Sequence, residues 1–187
     1  MAGVRLLRAS DRVARPWKNG GGVTRDVAVF PDGAGDEDFL WRASLATIEK
    51  AGPFSAFPGV DRAFLLLRGD LRIGIGDRGA QRLHPGSPAL LFGGEDAVRA
   101  EPLGGPCTAL NIMTRRGQTS AILERWSGMK AADRLLLLAT DAAPVTVGAD
   151  IIRLTQGDAL LIDRAADNPP SAGQALIAAF IRDQFVQ

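Results

Sequence analysis

The chain has no tyrosine, one histidine, His84, and one cysteine, Cys107, in 187 residues. With one imidazole, a metal centre of several histidines and a carboxylate cannot be assembled from this chain, which argues against a metal-dependent oxygenase or isomerase and leaves no cofactor expected. One cysteine forms no internal disulfide, so Cys107 reads as a small buried hydrophobe and the chain suits a reducing cytoplasm. Excess charge is also lacking. Lys and Arg total 22 against 21 Asp and Glu, a net charge of +1, which gives no broad field to draw nucleic acid or an anionic membrane. The apolar runs, such as 135–139, fall far short of the roughly 20 residues a spanning helix needs. Arg5, Arg8, Arg12 and Arg15 occur without an apolar stretch behind them, so no secretory leader is expected. No Ser/His/Asp arrangement around a nucleophile elbow is present.

What is there is apolar material, 46% of the residues, cut into short runs at 23–30, 42–48, 63–67, 71–75, 89–92 and 110–113. Turn residues separate them: Gly69-Asp70, Gly76-Asp77 and Pro85-Gly86. Regular short strands between turns predict an all-β sandwich or barrel. The segment 120–126 is the best helix candidate, a bridge between halves. Asp61-Arg62-Ala-Phe-Leu-Leu-Leu resembles Asp133-Arg134-Leu-Leu-Leu-Leu, and Leu83-His-Pro-Gly86 resembles Leu154-Thr-Gln-Gly157. The near-equal offsets mark one duplicated β-unit. The expected fold is therefore two small antiparallel jelly-roll β-barrels from an internal repeat, residues 1–118 carrying a polar pocket and residues 119–187 forming a divergent second barrel.

Polar chemistry concentrates in the first copy. Pro16-Trp-Lys18-Asn19-Gly20-Gly21-Gly22-Val-Thr24-Arg25 offers donors around three glycines whose N–H groups could meet a carboxylate; it lacks the Gly-Lys-Ser/Thr ending of a phosphate loop, and a plain turn is the alternative. Trp41-Arg42-Ala43-Ser44 alternates, which puts Arg42 and Ser44 on the face opposite Trp41. An arginine inside a barrel needs a partner or an anion; a solvated outer face is the other reading. Phe54 and Phe57, stiffened by Pro53 and Pro58, make a rigid wall. Asp61 and Arg62 are a candidate charge pair at a mouth, or a turn-stabilising one, since the pair recurs at Asp133-Arg134. Asn111 interrupts an apolar strand whose counterpart in the second copy is read as Ile177, and a buried amide needs a hydrogen-bond partner. Arg115 and Arg116 read as a solvated strand end.

Taken in order, Pro16-Trp-Lys-Asn-Gly-Gly-Gly-Val-Thr-Arg25, Trp41-Arg-Ala-Ser44, Gly52-Pro-Phe-Ser55, Gly59-Val-Asp-Arg62 and Leu110-Asn-Ile-Met-Thr-Arg-Arg116 resemble the HutD/Ves family. The resemblance covers most of the first two-thirds of the chain. It implies a bicupin fold in a bacterial cytoplasmic protein, some of whose relatives are linked to histidine utilisation, with metabolite binding suspected and no catalysis established. Carried over by position, the ligand-binding candidates are Lys18, Asn19, Thr24, Arg25, Trp41, Arg42, Phe54, Asp61, Arg62 and Asn111. Ala109 stands where an acidic residue is usual, and Asp26-Val27 replaces Glu with Leu or Ile. The leading expectation is a metal-free sensor or regulator for a small anionic metabolite such as urocanate or formiminoglutamate. A metal-independent enzyme of the same fold and a protein-interaction module remain alternatives, and a homodimer is a candidate assembly. No catalytic residue is assigned.

Overall fold

The computed structural model describes residues 3–165, 167 and 169–184. Among them, the regular structure other than strand is two single-turn 3-10 helices, Ala9–Asp11 and Gly76–Arg78. The strands begin with β1 (Val4–Leu7), β2 (Ala14–Pro16), β3 (Gly22–Phe30), β4 (Trp41–Ile48), β5 (Gly52–Pro53) and β6 (Val60–Ile75). Next come β7 (Ala80–Leu83), β8 (Leu90–Gly93), β9 (Val98–Arg115), β10 (Thr119–Arg125) and β11 (Arg134–Ala139). The chain ends through β12 (Ala143–Val147), β13 (Asp150–Leu154), β14 (Ala159–Asp163), β15 (Ser171–Ala172) and β16 (Leu176–Asp183). No helix among the described residues is long and apolar enough to cross a membrane.

Two compact units result, Val13–Arg116 and a discontinuous one made of Met1–Arg12 with Gly117–Gln187. The expected division, with everything before 118 in the first barrel, misplaces the N-terminal strand. β1 pairs antiparallel with β14, Val4 opposite Ile162 and Leu7 opposite Ala159, so it closes one edge of the five-stranded sheet β1-β14-β11-β16-β10. The expected helix at 120–126 is also a strand. β10 runs antiparallel along β16 for seven residue pairs, from Thr119 opposite Asp183 to Arg125 opposite Ile177. Helix propensity there yields to the backbone partners that β16 supplies.

The contiguous unit is built on two long strands, β6 and β9, which pair antiparallel through 14 aligned positions from Val60–Arg115 to Ile75–Val98. Their register shifts twice, between Leu66 and Asp70. Gly69 sits in that shift at φ +84, where a Cβ would lie 2.8 Å from the Cys107 sulfur, so only glycine lets β6 bend over β9. The two strands continue paired on both sides of the bend, within one eight-stranded sheet. Ile48, Phe64, Leu66, Leu71, Ile73, Phe92, Cys107 and Ala109 fill the resulting interior.

The repeat is present in strand roles, since β11 pairs with β14 as β6 pairs with β8. Its register differs by one from the sequence match. Phe64 and Leu66 face the core of the contiguous unit, while Leu135 and Leu137, rather than Leu136 and Leu138, face the core of the discontinuous one. A one-residue slip exchanges the faces of a strand. Phe64 lies opposite Asn111, whereas the core-facing Leu135 and Leu137 lie opposite Phe180 and Ala178, so Ile177, the expected counterpart of Asn111, is not on the core face. The discontinuous unit is apolar at the position where the other carries an amide.

Asp158 anchors the start of the chain within the discontinuous unit. Its carboxylate is nearly inaccessible and accepts from the Ala9 amide at 2.9 Å, the Arg8 guanidinium at 2.7 Å, and the Thr155 amide and hydroxyl at 3.0 and 2.8 Å. Burial would raise its pKa, but the backbone and side-chain hydrogen bonds outweigh it and hold the group well below the usual carboxylate range. A depressed carboxylate contributes stability that is present above its unfolded pKa and lost as pH falls through the folded one. Asp158→Ala should cost about 1–3 kcal/mol, the range for stranding buried donors. Chemical denaturation at neutral and acidic pH should show the gap from wild type narrowing on the acid side.

Candidate functional site

Strand register places a polar belt inside the contiguous unit. Along β4, β9 and β6, Arg42 lies opposite Met113 and Met113 opposite Arg62; one step along, Ser44 lies opposite Asn111 and Asn111 opposite Phe64. All six share one face of the sheet, because side chains two apart on a strand point the same way. Below the belt lies the apolar interior containing Phe64 and Ala109, and above it a small cluster of Phe39, Val60 and Met113. Between these clusters is a cavity of about 820 Å³, open to solvent, whose lining includes Lys18, Thr24, Arg42, Phe54, Arg62 and Asn111.

Arg62 is the unusual group. It is 9% exposed, and none of the ion pairs among the described residues involves it. Three phenyl rings surround its guanidinium: Phe92 at 4.9 Å, Phe54 at 5.2 Å and Phe57 at 5.9 Å from ring centroid to Cζ. Nε donates to Asn111 Oδ1 at 3.3 Å and Nη1 to the Ser55 carbonyl at 3.4 Å, both long bonds, and an arginine has five N–H donors to place. Burial pushes its pKa down to about 10, so it remains cationic at neutral pH. Because arginine only donates, Asn111 must turn Oδ1 toward it, which leaves the Asn111 amide N–H groups for another acceptor. Phe54 also meets Trp17 edge-on at 6.0 Å and Phe64 at 5.7 Å, so the wall expected from this loop both packs and cages the cation.

Arg42 is equally buried but satisfied. Nε donates to Asp26 at 2.7 Å and Nη1 to Asp36 at 2.6 Å. The regular register of β3 on β4 sets Asp26 opposite Ser44, diagonal to Arg42 on the same face, and a bulge follows between Asp26 and Ala28. Arg15 reaches the other Asp26 oxygen at 3.2 Å. Arg115, read as a solvated strand end, instead donates to the Glu37 carbonyl at 2.7 Å and the Phe39 carbonyl at 3.4 Å and stacks on the Phe39 ring, which pins the connection between β3 and β4.

The glycine-rich turn has a different purpose from the one expected. Its amides are committed within the chain, Gly20 N–H to the Trp17 carbonyl and Gly21 N–H to Asn19 Oδ1. A Cβ on Gly22 would lie 2.3 Å from the Thr47 carbonyl and 3.2 Å from the Trp17 ring, so this glycine permits close packing rather than close approach of a ligand. Asn19 caps the turn and reaches the Pro53 carbonyl at 3.5 Å. Thr24 accepts from the Trp17 indole N–H at 2.7 Å, and Lys18 stands in the lining.

Three of the ten candidates fall outside the cavity lining. Arg25 follows Thr24 on β3 and so takes the other face, opposite Leu45. Trp41 is fully buried on that face, stacked with Phe30 at 6.2 Å. Asp61 points away from its neighbour Arg62 and binds Arg116 at 2.8 Å, where Glu95 also binds. The expected Asp61–Arg62 pair is therefore not formed, because consecutive strand residues face oppositely. Ser44, Arg15, Trp17 and Asp36 belong to the lining and were not among the candidates. Ser44 was legible from its period-two spacing to Arg42; Asp36, in a connection without periodicity, was not. Among the described residues no group of three His, Cys, Asp or Glu could hold a metal ion.

The family model HutD matches residues 9–178. An uncharacterized 21.2 kDa protein in the hutC 3' region of Pseudomonas putida is 34% identical over 170 residues, 87% of this chain and 88% of that one. Protein Ves of Citrobacter koseri is 39% identical over 106 residues, 56% of this chain and 54% of that one. The structure of HutD from Pseudomonas fluorescens SBW25 (formate condition) superposes with a TM-score of 0.84 at 26% identity, covering 97% of this chain and all of the other. A cupin 2 conserved barrel domain protein from Leptotrichia buccalis superposes at 0.56 and 12% identity over 98% of each chain, which identifies the fold as cupin-type. The chain belongs to the HutD family.

A buried cation without a counter-charge is a standing cost to the fold, because its desolvation is not repaid by a partner. Cation–π contacts return about 0.5–2 kcal/mol of it. Arg62→Met, an apolar side chain of similar length, should therefore raise stability by about 1–3 kcal/mol. Urea unfolding of the two proteins gives the comparison.

Proposed function

We propose that this HutD-family chain binds a small carboxylate metabolite of histidine degradation in the cavity of its contiguous unit and acts there as a sensor or regulator. The observation that carries the reading is Arg62, a guanidinium buried among phenyl rings without a carboxylate partner, beside an Asn111 amide oriented to donate. A planar carboxylate suits both groups, taking paired N–H bonds from the arginine and a further one from the amide. Ser44, next to Asn111 in the register, offers a hydroxyl in reach of the same space.

Two findings on relatives bear on the setting and on the choice of test compounds. The P. putida relative is described by its position in the hutC 3' region, in keeping with a role near histidine utilisation. The HutD structure from P. fluorescens is from a formate condition, and formate is the smallest carboxylate. Urocanate and formiminoglutamate are the first compounds to test. A binding role also explains a cavity whose arginine destabilises the empty protein, since mass action returns stability when the ligand arrives.

Thermal-shift titration should raise the Tm with either compound, by the equivalent of about 2.7 kcal/mol at a hundredfold excess over Kd, and Arg62→Met should remove the rise. The rise should persist across neutral pH and decline as pH climbs through about 10, because the anion needs the protonated guanidinium, which exists below that value. A rise that survives Arg62→Met would defeat the proposal.

A further inference from the structure

Arg42 and Arg62 occupy one row of the sheet, one on each side of Met113. Two strand spacings of about 4.8 Å put their backbones about 10 Å apart on the same face. Both are 9% exposed and both line the cavity. They differ in what holds them, Arg62 having no carboxylate and Arg42 having two.

The two carboxylates on Arg42 are unlike each other. Asp26 is fixed in β3, its side chain 22% exposed and shared with Arg15. Asp36 lies in the connection between β3 and β4 with its side chain 65% exposed, and the bond to Arg42 Nη1 is the one hydrogen bond its side chain makes among the described residues. That connection has other attachments. Arg115 holds the Glu37 and Phe39 carbonyls, Phe39 is fully buried, and the Ala34 amide donates to the Pro31 carbonyl. The Asp36 side chain can therefore swing into water without freeing the loop. An ion pair with one exposed partner is weak and readily exchanged.

We propose that Asp36 is a resident substitute for the second carboxylate of a dicarboxylate ligand. In the empty protein it occupies Arg42 Nη1, adding a second carboxylate to the one that Asp26 places on Nε. A ligand anchored at Arg62 by one carboxylate displaces Asp36 with its other, so one anion replaces another at Arg42 and the local charge is conserved. Asp36 thereby sets a threshold at Arg42 that only a ligand with a second carboxylate passes, while a monoanion stops at Arg62. The inference rests on the carboxylate reading of Arg62 given above.

Calorimetric titration of the full chain with glutarate and with acetate tests it. Wild type should prefer glutarate. Asp36→Asn, which keeps the shape and removes the charge, should bind glutarate about fivefold more tightly, as expected when a self-occupied fraction is released, and leave acetate unchanged. Asp36→Ser, a second variant lacking the carboxylate, should act in the same direction. Arg42→Gln should abolish the glutarate preference and retain acetate. Acetate binding that depends on Arg62, with no glutarate preference or with Asp36→Asn weakening glutarate, overturns the exchange alone. Absence of binding by both acids overturns the exchange and the carboxylate reading together.

Discussion

The site depends on how a positive charge can be kept inside a β-barrel. Three phenyl rings and two long hydrogen bonds hold the Arg62 guanidinium, which is less than a buried cation needs for full compensation. Arg42, a neighbour in the same row, has two carboxylates and is fully compensated. The cavity thus contains one saturated cation and one unsaturated cation, and the difference between them is what the proposed anion site rests on.

The scaffold holds that difference in place. β4, β9 and β6 fix the order Arg42, Met113, Arg62 by backbone pairing, so the spacing of the two guanidinia does not depend on loops. Apolar clusters flank the belt on both sides. The discontinuous unit shows the alternative outcome of the same architecture. There Leu135, Leu137, Leu160 and Phe180 converge in an apolar core, and the unit is stabilised by ordinary burial of apolar side chains.

Much of this is legible in the sequence. Turn residues between short apolar runs identify the strands, and the alternation at Trp41-Arg42 sorts the two side chains to opposite faces correctly. Where the reading failed, the cause was local. Asp61-Arg62 looks like a pair because the two are adjacent, whereas adjacency in a strand separates them. Asp133-Arg134 suggested a register one residue away from the one that buries Leu135. The helix expected at 120–126 reflected propensity without sight of the partner strand. Asp26 meets Arg42 across a strand pairing whose register the sequence does not announce, and Arg62 becomes the unsaturated cation only once Asp61 is seen to turn toward Arg116.

The pairing of β1 with β14 makes one unit a frame and the other an insert. The insert is a single stretch of chain, complete once residue 116 has been made, and can fold as soon as it clears the ribosome. The frame is not complete until Ala159–Asp163 has been synthesised to receive Val4–Leu7, so a strand made before the insert is paired only after it. During synthesis the cavity can form before the unit that encloses its sequence.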